Sequence, residues 1–203
     1  MIFEREEKCL SLAQFEALTC AKWNPQLEFA SQEILLQIQT ITKKLHKKGE
    51  LTLEQLWLGQ YYRKEISTPP VPDVSVRWIG SDLGWGVFAL RPLRKGQFIA
   101  QYSGKVRKRA RGDDKNAYCF EYIASPGAPT PYLIDAQDQG GLGRYLNHSA
   151  KPNLLSSIVT LDHVSYVIFH AKEPIAAGEQ LCYDYGEDYW SKRRAPSLLS
   201  LTA

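Results

Sequence analysis

Along residues 1–66 the apolar positions recur at helical spacing. Ser11 with Gln14 reads as a capping box ahead of Phe15 and Leu18. Asn24-Pro25 reads as a cap followed by proline at the first helical position. Ile34, Ile38, Ile41 and Leu45 then fall on one helix face, up to a stop at Lys47-Lys48-Gly49. Thr52 with Gln55 opens a further helix carrying Leu53, Leu56, Trp57 and Tyr61. Such a stripe is too apolar to stand alone in water. It is expected to cover the rest of the chain or a second copy of itself, so a homodimer is left open.

Ser67-Thr68-Pro69-Pro70-Val71-Pro72-Asp73 reads as a stiff extended linker over 67–73. Beyond it the period changes. Short apolar runs punctuated by Pro and Gly predict strands over 74–79, 85–90, 97–102, 118–123, 131–135, 154–160 and 163–170. The pattern is α+β: a helical region over 1–66, a β-rich domain over 74–190 and a tail over 191–203.

Composition narrows this little. The 203 residues are 44% hydrophobic, enough for a sizeable core, and no apolar run is long enough to span a bilayer. The charged, mixed-sign start Met1–Lys8 is unlike a secretory signal. A net charge of +3 permits an acidic partner without demanding nucleic acid. Cys9, Cys20, Cys119 and Cys182 show no C-x-x-C spacing and read as reduced, buried thiols.

The candidate chemistry sits in two segments. Arg144-Tyr145-Leu146-Asn147-His148-Ser149 is followed by Lys151-Pro152-Asn153, and some thirty residues on stands Glu179-Gln180-Leu181-Cys182-Tyr183-Asp184-Tyr185-Gly186. The first brings several hydrogen-bonding groups to a strand end. In the second, tyrosines two apart share one face of an extended chain. Together they resemble the N-H-S-C-x-P-N and E-E-L-x-Y-D-Y-G motifs of the SET-domain protein lysine methyltransferases. Gly84-Trp85-Gly86 resembles that family's G-x-G cofactor loop. Gln101-Tyr102-Ser103-Gly104, Tyr118-Cys119-Phe120 and Ile134-Asp135-Ala136 resemble three further pieces, all in the family's order.

The resemblance implies a β-clip core threaded as a pseudoknot, S-adenosylmethionine as cofactor, and methyl transfer to a lysine of a protein substrate. It makes Tyr185 the catalytic tyrosine and Tyr118 and Tyr183 walls of the lysine channel, Tyr118 also touching the cofactor. Leu83, Gly84, Trp85, Gly86, Asn147 and His148 would hold the cofactor. Blander readings stand beside these: Tyr185 and Tyr118 as core aromatics, and the glycines as a hairpin turn. Arg144 reads equally as a contact for the cofactor carboxylate or as the partner of an acid. Asp135, Asn153 and Glu179 read as turn-holding residues. Tyr183, where the family carries Phe or Tyr, implies mainly mono- or dimethylation.

Two departures from the family agree. Ala150 stands where many members have cysteine, and no cysteine follows Cys182, so no structural zinc is expected. His148 has no second metal ligand at a useful spacing either. Tyr189 and Trp190 would then close the channel in zinc's place, or simply pack. Lys105, Arg107, Lys108, Arg109 and Arg111 form one basic cluster and Lys192-Arg193-Arg194 another. They suit an acidic nucleosome surface, nucleic acid or nuclear import, or are solvated loops.

The helical region with Trp57-Leu58-Gly59-Gln60, the Pro-rich linker and Tyr189-Trp190 together resemble SET proteins of chlamydia-type intracellular bacteria. That group implies histones or histone-like proteins as substrates, and residence in the bacterial cytoplasm or delivery as an effector to a host cell and its nucleus. The competing expectations are a non-catalytic SET module serving as a chromatin or protein scaffold, and a nucleic-acid-binding protein.

Overall fold

The computed structural model describes residues 1–191; the tail and its Lys192-Arg193-Arg194 run lie outside the described residues. The chain starts with β1 (Ile2–Arg5), β2 (Lys8–Leu10), α1 (Leu12–Thr19), β3 (Lys22–Trp23) and β4 (Glu28–Phe29). Three helices follow: α2 (Gln32–Lys47), α3 (Leu53–Tyr61) and α4 (Arg63–Ser67). Then come β5 (Val74–Gly80), β6 (Gly84–Ala89), β7 (Phe98–Gln101), β8 (Lys105–Lys108), β9 (Cys119–Ser125) and β10 (Ala128–Asp135). The last elements are β11 (Gln139–Gly140), β12 (Asn147–His148), β13 (Leu154–Leu161), β14 (Val164–Ala171), β15 (Gln180–Tyr183) and α5 (Glu187–Ser191). The seven predicted strands are all present, each displaced by a few residues at most.

The first 66 residues are not purely helical. β1 pairs in parallel with β5 and extends the sheet of order β12-β15-β6-β5-β1-β2. β4 adds in parallel to β8 at the edge of the sheet β4-β8-β10-β9. Asn24-Pro25 starts no helix. The Asn24 side chain accepts the Gln26 N–H at 3.0 Å, and the carbonyls of Asn24 and Pro25 accept Ser103 Oγ and Gln101 Nε2 at 2.7 and 2.8 Å. Those core groups hold the chain extended, and α2 begins only after its Ser31 cap. The capping box at Ser11 and Gln14 is closed in both directions. Its helix buries Phe15 completely against Phe3, with ring centroids 4.1 Å apart. A phenylalanine so enclosed contributes about 3–5 kcal/mol.

The α2 stripe seats on the core: Ile38 is buried, and Ile34 and Ile41 pack beside it. On α3 the apolar spacing misidentifies the buried face. Gln55, Leu58, Gly59 and Tyr62 face β13, while Leu53, Trp57 and Tyr61 point to solvent. A Cβ on Gly59 would stand 2.1 Å from the Thr160 carbonyl oxygen, so only glycine lets the helix come this close. Gln55 Nε2 donates to Ala124 O and Thr160 Oγ1, both at 2.8 Å, which satisfies the nitrogen end of a buried amide that an apolar count overlooks. The proline stretch does not hang free. Pro69, Pro70 and Pro72 lie beside Trp23, Phe98 and Leu142.

The thiols are less buried than expected: Cys9 and Cys20 are exposed, Cys119 and Cys182 are half-buried, and none of the four is in a disulfide. No helix of the described residues is long and apolar enough to cross a membrane.

Candidate active site

The two candidate segments, thirty residues apart in the chain, become neighbours because β12 pairs in parallel with β15. Asn147 lies opposite Cys182 and His148 opposite Tyr183. Asn153 locks the pairing: its amide donates to Gln180 O at 2.8 Å and its carbonyl accepts the Cys182 N–H at 3.0 Å. β15 also pairs with β6, which carries the Gly84–Gly86 loop to the same place. A cavity of about 710 Å³ opens there. Leu83, Gly84, Trp85, Tyr118, Arg144, Asn147, His148, Tyr183, Tyr185, Tyr189 and Trp190 all line it.

Gly86 lies just behind the wall. A Cβ on it would meet Ile79 Cδ1 at 2.4 Å, Gln180 Nε2 at 2.8 Å and Asn147 Nδ2 at 3.1 Å, so a larger residue would displace the ends of these side chains. At Gly84 glycine is needed for a φ of +69°. The Asn147 amide donates to the Trp85 carbonyl at 3.2 Å and ties β12 to this loop.

One end of the cavity is aromatic. The Tyr185 hydroxyl donates to Leu146 O at 2.8 Å. Its ring centroid lies 4.7 Å from Tyr183, 4.6 Å from Tyr189 and 5.9 Å from Trp190. Burial, then the neighbouring tyrosines, push the Tyr185 and Tyr183 hydroxyls well above the ordinary phenol range, so both stay protonated at neutral pH. Tyr102 is raised for the same first reason, and its hydroxyl is spent on Tyr118 O at 2.8 Å. Tyr183 differs from both: among the described residues no protein group hydrogen-bonds its hydroxyl.

His148 supports this end from behind. Its Nδ1 accepts the Tyr185 N–H at 3.1 Å, which requires that nitrogen to be unprotonated. Desolvation lowers the His148 pKa against a smaller opposing pull from Asp184. The 3.5 Å approach of Asp184 to Nδ1 is therefore no ion pair at neutral pH.

Arg144 does not take an acid as its partner: no carboxylate pairs with it among the described residues. It donates to Ala136 O at 2.7 Å and Gln137 O at 3.1 Å, and its guanidinium lies 3.9 Å above the Tyr118 ring. Tyr118 is thus a cavity wall pinned by a cation, 38% exposed rather than a core aromatic.

Four lining residues, Tyr102, Leu18, Thr19 and Tyr145, were not assigned a role from sequence. Tyr102 stood inside a quoted motif without a role. Leu18 and Thr19 of α1 line the cavity, and Tyr145 stacks parallel to Trp23 at 6.2 Å. Nothing in local spacing joins α1 to a site more than sixty residues away. In the basic cluster, Arg107 is bound by Asp113 at 2.8 Å and Asp135 at 2.7 Å and is structural, while Arg109 pairs with Glu121 at the cavity wall. No cluster of three or more His, Cys, Asp or Glu able to hold a metal occurs among the described residues.

Residues 84–186, half of the chain, match the model of the SET domain, so the chain belongs to the SET-domain family. It is 33% identical over 114 residues to histone-lysine N-methyltransferase Su(var)3-9 of Drosophila melanogaster, covering 50% of this chain and 18% of that protein. It is 34% identical over 115 residues to histone-lysine N-methyltransferase EHMT1 of Mus musculus, covering 54% and 9%. Among solved structures, Arabidopsis thaliana SUVH6 in complex with SAM matches with a TM-score of 0.46 and 30% identity, over 56% of this chain and 28% of that one. KRYPTONITE in complex with mCHH DNA, an H3(1-15) peptide and SAH matches with a TM-score of 0.48 and 28% identity, over 57% and 24%. The chain spans less than a fifth of the length of these two curated relatives.

Proposed function

We propose that this chain is an S-adenosylmethionine-dependent protein lysine N-methyltransferase. The observation that carries the reading is the protonated Tyr185 hydroxyl, fixed to Leu146 O inside an aromatic end of the cavity beside the Asn147-held glycine loop.

The residues suit both ligands. A cavity of about 710 Å³ has room for a nucleoside-sized cofactor and a lysine stem. Leu83, Gly84, Trp85, Asn147 and His148 would line the cofactor on one side, with Gly86 behind them and Tyr118 and Arg144 on the other. When bound, the cofactor supplies an electrophilic methyl carried on a sulfonium.

Tyr183, Tyr185, Tyr189 and Trp190 strip water from the lysine stem, and desolvation shifts the amine toward its neutral, nucleophilic form. Their π faces tolerate the ammonium on entry and the methylated cation on exit. Tyr185 cannot take the proton, because burial keeps its phenol protonated. The proton therefore leaves to solvent before attack. Tyr185 donates to Leu146 O and so presents its oxygen lone pairs toward the cavity, where they orient the amine for in-line transfer.

The unspent Tyr183 hydroxyl supports mono- or dimethylation, since it can hold a water where a further methyl would go. Histones or histone-like proteins are the proposed substrate class, on the strength of the relatives' printed activities. The Trp57–Gln60 segment and proline stretch support a chlamydia-type bacterial origin, with cytoplasmic residence or delivery to a host as an effector. Transfer of labelled methyl from the cofactor to mixed histones and to a bacterial lysate tests the reading. The expected result is labelling by the wild type and none by Tyr185→Phe; an unlabelled wild type in both mixtures overturns it.

A further inference from the structure

The outer face of α3 is apolar, rigidly mounted and uncovered. Leu53, Trp57 and Tyr61 recur every fourth residue and are 86%, 61% and 62% exposed. The Trp57 and Tyr61 rings stack on each other at 4.9 Å with 17° between their planes. The opposite face is sealed to β13 by Gly59 and by the Gln55 amide. The helix is therefore held with its aromatics outward, and it did not swing out from a loose seat. A contiguous row of exposed large apolar side chains on a fixed element is the composition of an interaction surface.

The flanking charges say what fits it. α3 continues into α4 almost without a break: Tyr62 N–H reaches Leu58 O at 2.9 Å, and Ile66 N–H reaches Tyr62 O at 2.9 Å. Glu54 lies at one end of the aromatic row and Lys64 at the other, and neither forms an ion pair among the described residues. Arg63 is already engaged by Asp162, with contacts at 3.0 and 3.2 Å, so Lys64 is the available cation. Trp57 and Tyr61 stand two residues either side of Gly59, and Glu54 and Lys64 five residues either side. The face is thus complementary to itself when reversed.

We propose that the α3–α4 face is a homodimer interface, two copies pairing antiparallel about a two-fold axis that crosses near Gly59. Trp57 then stacks on Tyr61 of the partner subunit, and Glu54 meets Lys64 of the partner subunit. Both contacts occur twice, as an isologous interface requires. An unrelated partner would need no such symmetric placement of charge about a single residue. The paired element is only about 20 Å long, so the contact is small and its Kd falls in the micromolar range.

Sedimentation equilibrium across the micromolar range tests this on the full chain. The wild type forms a dimer whose fraction rises with concentration. Trp57→Ala raises the Kd by about thirtyfold or more, as loss of a central aromatic anchor does. Glu54→Lys and Lys64→Glu each raise it about three- to tenfold, and the double reversal returns it to within about twofold of wild type. All three positions are exposed, so far-ultraviolet circular dichroism stays unchanged and misfolding is excluded directly. A chain monomeric at about 200 micromolar, a dimer indifferent to Trp57→Ala, or a double reversal no better than the singles overturns the proposal.

Discussion

Tyr183→Phe isolates one atom. The ring of Tyr183 is fixed by Phe169 at 4.6 Å and Tyr185 at 4.7 Å, and the side chain is 6% exposed, so phenylalanine keeps the same packing. No protein hydrogen bond is lost among the described residues, so fold stability is expected to change little. What changes is the hold on a water beside the lysine nitrogen. One hydrogen bond to that water contributes about 1–2 kcal/mol. Released into the barrier for adding a further methyl, this speeds that step about five- to thirtyfold relative to the first transfer. The wild type should stop mainly at mono- and dimethyl-lysine, and Tyr183→Phe should carry the same lysine further. Mass spectrometry of a single-lysine peptide, followed to long times, reads the distribution directly. Wild-type trimethylation, or identical distributions in the two proteins, refutes the role given to the hydroxyl.

Tyr185→Phe removes the group fixed on Leu146 O and should lower turnover by about a hundredfold or more while cofactor affinity is largely kept; an active variant would take Tyr185 out of its role. Asn147→Ala unties the Trp85 carbonyl and should abolish cofactor binding in calorimetric titration with the fold intact, whereas unchanged affinity would make the Asn147–His148 pair purely structural. Because His148 and His170 have pKa values lowered by desolvation, the unfolded chain takes up protons first as the pH falls. Stability is therefore complete above about pH 6.5 and declines below it, and a thermal midpoint that holds steady down to about pH 5 would contradict this. Methyl transfer should survive a strong chelator, given Ala150 and the lack of cysteine after Cys182; stoichiometric zinc, or loss of activity on chelation, is the contrary result.

Local rules carried the sequence reading a long way, and they stopped where contacts became long-range. The capping box at Ser11 and Gln14 depends on residues three apart, so it is legible in the chain. The seven strands were legible because period-two alternation and Pro–Gly breaks are local. The site motifs were legible because their order matches a family. The helix expected at Asn24-Pro25 failed because Ser103 and Gln101, some eighty residues away, take the carbonyls that a helix would need.

The α3 face shows the same limit more sharply. Apolar spacing selected Leu53, Trp57 and Tyr61, yet the helix buries Gln55 and Gly59. Spacing counts hydrophobicity, while the seat on β13 is decided by backbone closeness at Thr160 and by partners for one amide. The sequence by itself determined the family, the candidate residues that line one cavity and most strand positions. Tertiary structure alone decided that α1 walls the cavity, that Arg144 clamps Tyr118, and that no protein group among the described residues takes the Tyr183 hydroxyl. Each of these depends on what another segment places opposite a side chain, and a linear sequence holds no record of that.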